Sequence, residues 1–213
     1  KTSLGPSPGL LKKGFIFVYQ DVRGKWMSEG EFVDVRPHVA NKKGKKAIDE
    51  SSDTYDTIDW LIKNVKNNNG KVCIYGISYP GFYSTTSLPD AHPALKAVSP
   101  QAPVTDWFLG DDFHHNGAFM LADAFNFYST FGVPRPKPIT PDKDPKSFQF
   151  PIKDNYRFFL ELGPIKNVKA KYFGDSIAFW NDLMAHGTYD DFWKARNIRP
   201  HLKDVKPAVL VVG

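Results

Sequence analysis

The run Lys71-Val72-Cys73-Ile74-Tyr75-Gly76-Ile77-Ser78-Tyr79-Pro80-Gly81 constrains this chain more than any other stretch. A short apolar strand runs into a glycine, a serine and a second glycine, and a helix-like stretch follows. That is the layout of a nucleophile elbow, in which a sharp strand-to-helix turn exposes a serine hydroxyl. Such a turn needs small residues, because the backbone doubles back close to itself while the serine takes up a strained conformation. The spacing departs from the common G-x-S-x-G form: Pro80 takes the place of the second glycine, which comes one residue later as Gly81.

The flanking sequence predicts what this elbow is built into. Gly14-Phe15-Ile16-Phe17-Val18-Tyr19-Gln20 has the short, β-branched and aromatic pattern of a buried strand, after a Gly/Pro-rich loop over residues 1–13. Residues 49–67 read as a helix, with Ser51, Ser52 and Asp53 offering capping oxygens and Ile58, Leu61, Ile62 and Val65 on one face. A strand over 71–75, a helix from about Gly81 to Leu88 and a strand over 95–99 follow. Strand and helix thus alternate over residues 14–100, which predicts an α/β fold with a mostly parallel sheet. From about Asp106 aromatic residues cluster, prolines punctuate 134–151, and short helices are expected at 154–162, 175–185 and 189–196. Pro207-Ala208-Val209-Leu210-Val211-Val212-Gly213 returns to a strand. The expected organisation is an α/β core over 1–105, a mostly helical cap insertion over 106–200 and a return strand of the core over 201–213.

Composition excludes several classes. The formal net charge of +5 is concentrated in Asn41-Lys42-Lys43-Gly44-Lys45-Lys46, a basic loop without interleaved aromatics, so a solvated loop is expected and not a nucleic-acid site. A single cysteine, Cys73, rules out an internal disulfide; its apolar neighbours predict a buried, inert thiol. No run reaches the ~18 apolar residues of a membrane-spanning helix, and no H-E-x-x-H or similar spacing indicates a metal or other cofactor. Aromatics at 15% fit either a well-filled core or an aromatic-lined pocket. The sequence does not fix the oligomeric state, and a homo-oligomer is compatible with it.

Ser78 is the candidate nucleophile. A serine needs a histidine to take its proton and a carboxylate to orient that histidine. In α/β-hydrolase elbows the chain order is Ser, acid, His. The strand that would precede the acid is 207–212, so acid and base are expected beyond Gly213. The six histidines, His38, His92, His114, His115, His186 and His201, read as hydrogen-bonded structural residues. Tyr79 follows the serine, and its backbone N–H is placed to donate to an oxyanion. In Gly110-Asp111-Asp112-Phe113-His114 the acidic pair reads on composition as a helix N-cap, with an anion that binds a cationic substrate group as the other reading.

Several stretches together resemble a known family: Val18-Tyr19-Gln20-Asp21-Val22-Arg23-Gly24, Ser28-Glu29-Gly30-Glu31-Phe32, Asp56-Thr57-Ile58-Asp59-Trp60-Leu61, the Ser78 elbow, and the Gly110–Asp112 segment. The chain resembles the serine hydrolases that include α-amino acid ester hydrolases, glutaryl-cephalosporin acylases, cocaine esterases and Xaa-Pro dipeptidyl-peptidases. Asp90-Ala91-His92-Pro93-Ala94-Leu95-Lys96 and the Gly-Asp-Asp motif point within it toward the α-amino acid ester hydrolases. The resemblance implies an α/β-hydrolase core with a helical cap, and a C-terminal jelly-roll domain beyond Gly213. It implies Ser78 as the acyl-accepting residue and Tyr79 as backbone oxyanion donor. It implies Asp112 as one carboxylate of a cluster for the substrate's α-ammonium, with the others beyond Gly213. The expected partner is a small ester or amide substrate, and resemblance suggests a periplasmic or secreted setting. A broader esterase or acylase, and an inactive binding module that keeps the fold, are the rival readings.

Overall fold

The computed structural model describes residues 7–43, 47–110, 113–134, 139–143 and 146–213. Helix α1 (Pro8–Lys12) replaces part of the loop expected at the start. Ser7 caps it and Pro8 opens it, where a missing N–H costs nothing. Residues 14–20 form no strand: they join no ladder, and Phe15, Ile16, Val18 and Tyr19 are exposed. Strand propensity describes fit to a pleated, half-buried surface, and here no described segment supplies one.

Helix α2 (Glu50–Asn64) starts at a capping box: Asp49 accepts from the Ser52 N–H, and the Ser52 hydroxyl accepts from the Asp49 N–H. Asp49 is fully buried and also receives His38 Nδ1 (3.0 Å), the Val39 N–H and Lys42 Nζ (2.9 Å). Burial alone would raise its pKa, but these bonds outweigh it and hold the carboxyl far below the usual range. Of the basic run 41–46, residues 44–46 lie outside the described residues; Lys42 is tied to Asp49 and Asp90.

Strand β1 (Val72–Ile77), helix α3 (Tyr79–Thr86) and strand β2 (Leu95–Gln101) form a parallel βαβ unit. The register pairs Ile74 with Val98 and Ile77 with Gln101. Two short strands, β3 (His114–His115) and β4 (Ala118–Phe119), pair antiparallel as a separate hairpin that the sequence pattern did not announce. Helices α4 (Leu121–Phe131), α5 (Asn155–Leu162), α6 (Lys166–Val168), continued by a π-helical turn at Lys169–Phe173, α7 (Ala178–Ala185) and α8 (Asp191–Arg196) follow. Strand β5 (Ala208–Val209) returns parallel to β2, giving the order β1-β2-β5. The 207–212 segment therefore pairs over two residues plus a bridge from Gln101 to Val212.

Two apolar clusters result. Under one face of the sheet, Ile58 of α2 packs with Leu88, Leu95 and Val98, and Val72 and Ile74 lie against them. Period-two alternation puts Cys73, Tyr75 and Ile77 on the opposite, exposed face. The thiol is therefore not buried, because apolar sequence neighbours in a strand point to both faces. The second cluster is aromatic: Phe82, Trp107, Phe113, Phe125, Tyr128, Phe158, Phe179, Trp180 and Trp193 are all buried in it.

Asp106 joins the two ends of the aromatic, mostly helical stretch. It is 2% exposed, and its Oδ2 accepts from Tyr189 (2.9 Å), Asn197 (3.0 Å) and Arg199 (2.7 Å). Its Oδ1 accepts the N–H groups of Phe108 and Leu109, and the Ile198 N–H reaches the Thr105 carbonyl. Residues 105–109 and 189–199 are thus held side by side.

Candidate active site

Ser78 sits between β1 and α3 with φ 61° and ψ −123°. A non-glycine residue at positive φ is uncommon and strained, and here it turns the serine outward as an exposed residue. The turn is fixed on both sides. The Ser78 N–H donates to the Gln101 carbonyl at 3.0 Å, and the Ser78 carbonyl accepts the Phe82 N–H at 3.0 Å. Gln101 is itself held, since the neighbouring Ala102 N–H donates to Val212 at 2.7 Å.

Both glycines are steric requirements. A Cβ on Gly76 would lie 2.2 Å from the Pro80 carbonyl oxygen, and a Cβ on Gly81 would lie 2.4 Å from that of Gln101. This explains the unusual spacing. The close approach to β2 falls at residue 81, so that is where glycine is needed. Residue 80 is in the first turn of α3, where proline fits because its missing N–H has no intrahelical partner. For the same reason the Tyr79 N–H, first in the helix, has no carbonyl below it.

The Tyr79 side chain points inward. Its ring packs among Phe82, Tyr83, Trp107 and Phe131. Its hydroxyl donates to Asp34 Oδ1 at 3.0 Å and accepts the Val35 N–H at 2.9 Å. Burial pushes the Tyr79 phenol well above its ordinary value, with Asp34 adding to it. Burial likewise pushes the Asp34 carboxyl up to about 6, against the opposing bond from Tyr79 and the charges of Lys25 and Arg196. Glu50 is pushed up to about 7 by burial, with Arg36 opposing. Nothing in the sequence marks Asp34: it falls in a stretch that reads as a mixed, basic loop, and its partner lies 45 residues away.

The sequence-predicted residues are thus distributed as follows. Ser78 and the Tyr79 N–H stand together at the elbow. Asp112 lies outside the described residues. Its flanks are anchored: the Gly110 N–H donates to the Asp106 carbonyl, and buried Phe113 stacks on Trp107 at 5.5 Å. Trp107 in turn meets the Tyr79 ring at 5.5 Å, so one aromatic layer connects Phe113 with Tyr79. The histidines are engaged elsewhere. His38 pairs with Asp49, His92 accepts the Ala94 N–H, His115 meets the Gly110 carbonyl and His186 meets Asp190. His114 stacks on Phe108, where burial lowers its pKa, and His201 packs on His38. Among the described residues none of them hydrogen-bonds the Ser78 hydroxyl, and no group of three or more His, Cys, Asp or Glu could hold a metal ion. No helix among those residues is long and apolar enough to cross a membrane.

A cavity of about 520 Å³ opens nearby, lined by Lys25, Phe32, Asp34, Phe179, Asp182 and Arg196 among others. Ser78 does not line it; Asp34 stands between this space and the Tyr79 hydroxyl.

A mostly parallel sheet, a strained serine between strand and helix, and a helix-rich segment beside it define an α/β-hydrolase fold. The chain belongs to the X-Pro dipeptidyl-peptidase (S15) family, whose profile matches residues 1–213. Among solved structures it is similar to an α-amino acid ester hydrolase, with 32% identity, a TM-score of 0.81 and coverage of 95% of this chain and 31% of that one. It is also similar to an aminopeptidase from a marine sediment archaeon, Thaumarchaeota archaeon, with 35% identity, a TM-score of 0.77 and coverage of 91% and 30%. The cocaine esterase of Rhodococcus sp. (strain MB1 Bresler) is 28% identical over 123 residues, 58% of this chain and 19% of that protein. These relatives are hydrolases of the esterase and peptidase kinds. The chain spans 19% to 31% of their length.

Proposed function

We propose that this chain carries the nucleophile of a serine hydrolase that transfers the acyl group of α-amino acid esters or amides. The observation that carries the reading is the backbone of Ser78, held at positive φ between two glycines whose Cβ atoms have no room. Strain of order 1–3 kcal/mol persists only where the surroundings impose it, and it clusters at functional sites. In this reading Ser78 Oγ attacks the carbonyl carbon and gives its proton to a histidine that, with its acid, the resemblance places after Gly213. The carbonyl electrons move onto oxygen, which the Tyr79 N–H holds at the positive end of α3. Collapse expels the alcohol or amine, which takes the proton from the histidine, and leaves an acyl-serine, which water then cleaves.

The substrate class rests on two supports. The aminopeptidase and the α-amino acid ester hydrolase both act, by their names, on α-amino acyl groups. The Gly-Asp-Asp motif supplies Asp112, to which we assign a charge-assisted contact with the substrate's ammonium. In the full-length protein Asp112→Asn is expected to raise KM for esters with a free α-amine about tenfold and leave des-amino esters unchanged. An equal effect on both ester series would remove Asp112 from this role. Ser78→Ala is expected to abolish turnover of an α-amino acid p-nitrophenyl ester, and retained turnover would overturn the assignment.

A further inference from the structure

We infer that Asp34 is a positioning residue for the oxyanion donor: through the Tyr79 hydroxyl it fixes the residue whose backbone N–H faces the developing charge. The inference rests on the reading of Ser78 as nucleophile and adds a residue to that site.

Three observations carry it. First, the Tyr79 ring, 7% exposed, is confined on its faces by Phe82, Tyr83, Trp107 and Phe131 at centroid distances of 4.8–5.8 Å. Its hydroxyl donates to Asp34 Oδ1 and accepts from the Val35 N–H, both in one short loop, with the Tyr83 phenol of α3 beside it and also facing Asp34. A side chain held at both its length and its tip leaves the peptide that carries it little freedom, and that peptide is the first of α3. Second, the loop adopts a costly conformation to do this. Val35 is β-branched, 1% exposed and at φ 43°, a region such residues avoid. The result of that conformation is that the Val35 N–H and the Asp34 carboxylate converge on one hydroxyl. Third, Asp34 lies on the boundary between Tyr79 and the 520 Å³ cavity. It is faced there by Lys25 from the preceding turn, Asp182 from α7 and Arg196 from α8, with Glu31 also on the wall.

These neighbours make the grip sensitive to charge. An ionised Asp34 accepts a charge-assisted bond from Tyr79, roughly twice as strong as the bond between the neutral groups. With its carboxyl pushed up to about 6 by burial, Asp34 is ionised at pH 8 and protonated at pH 5. The grip is therefore strongest on the alkaline side. Complete loss of one oxyanion donor costs ~10² to 10³ in rate, and a loosened one should cost part of that, about tenfold.

The test is the ratio of wild-type to Asp34→Asn kcat on an α-amino acid p-nitrophenyl ester in the full-length protein, measured from pH 5 to pH 8. Taking the ratio cancels any titration that the two proteins share, that of the general base included. The expected ratio is near one at pH 5 and about ten at pH 8, with KM within twofold. Tyr79→Phe should lose a similar factor at pH 8, and the double variant should lose no more than Tyr79→Phe alone, because Asp34 acts through that hydroxyl. Thermal melting of each variant establishes that it is folded. A ratio that stays at one in folded protein, or losses that multiply in the double variant, would overturn the inference. If wild-type protein neither turns over the ester nor reacts with a fluorophosphonate, the Ser78 reading itself falls, and this inference with it.

Discussion

Gly76→Ala puts the account of the elbow under the most direct strain. The new Cβ would lie 2.2 Å from the Pro80 carbonyl oxygen, 2.4 Å from its carbonyl carbon and 2.8 Å from its Cβ. Comfortable non-bonded contacts need ~3.5 Å, so the shortfall is about 1.3 Å. No flexible side chain can give way, because the obstacle is the backbone of the first turn of α3. The helix must back away from β1, taking with it the Tyr79 N–H and straining the 3.0 Å bond from the Ser78 N–H to Gln101. Overpacking of this kind costs about 1–3 kcal/mol, and the rigid obstacle puts it near 3. A displacement of ~1 Å at a catalytic group costs on the order of 10² in rate. Urea denaturation of the full-length protein reads the first effect, and the rate of fluorophosphonate labelling reads the second. Gly187→Ala is the control, since its Cβ meets nothing within 4 Å at an ordinary φ, and it should stay within about 0.5 kcal/mol of the parent. If Gly76→Ala matches that control in both stability and labelling, the elbow is not packed as described.

Other expectations follow from buried charges. Asp106→Ala leaves two backbone N–H groups without their acceptor and takes one bond each from Tyr189, Asn197 and the half-exposed Arg199, so a loss of about 1–3 kcal/mol is expected in denaturant titrations. Glu50 has a folded pKa of about 7 against an ordinary 4.5, so its contribution to stability is present below the lower value and lost as pH rises through the higher one. At about 1.4 kcal/mol per pKa unit this amounts to ~3 kcal/mol. Glu50→Gln should therefore raise the melting temperature relative to wild type at pH 8 and change it little at pH 4.5; the reverse order would contradict the burial argument. Asp49 has the opposite sign, its depressed pKa making its contribution vanish as pH falls below the ordinary carboxylate range. Asp49→Asn should cost stability at pH 7 and progressively less toward pH 3, followed by circular dichroism.

The parts of the fold that were legible in the sequence are those that depend on local pattern. The α2 face at Ile58 and Ile62 and the apolar run before Gly76 each declare themselves within a few residues, whereas the cap falls on Asp49 with Ser52 as its reciprocal partner, not on the Ser51–Asp53 oxygens the sequence pointed to. The strand–turn–helix around Ser78 was legible for the same reason, although the place of Pro80 needed the structure to show that the close approach falls at Gly81. What escaped depends on pairing at a distance. Residues 14–20 have strand-like side chains but no ladder partner among the described residues. Cys73 was misplaced because the identity of a strand's covered face is decided by α2 packing from elsewhere in the chain. Asp106 and Asp34 are single aspartates whose partners stand 83–93 and 45 residues away, a separation at which no periodicity operates.

The central claim is that Ser78 becomes acylated, and mass spectrometry tests it. The full-length protein is treated with a fluorophosphonate, digested and mapped, with Ser78→Ala treated in parallel. The account predicts one stoichiometric adduct on the peptide containing residues 71–81, located at Ser78, and none on the variant. An adduct on a different serine, or none on wild-type protein that still hydrolyses the ester, would contradict it.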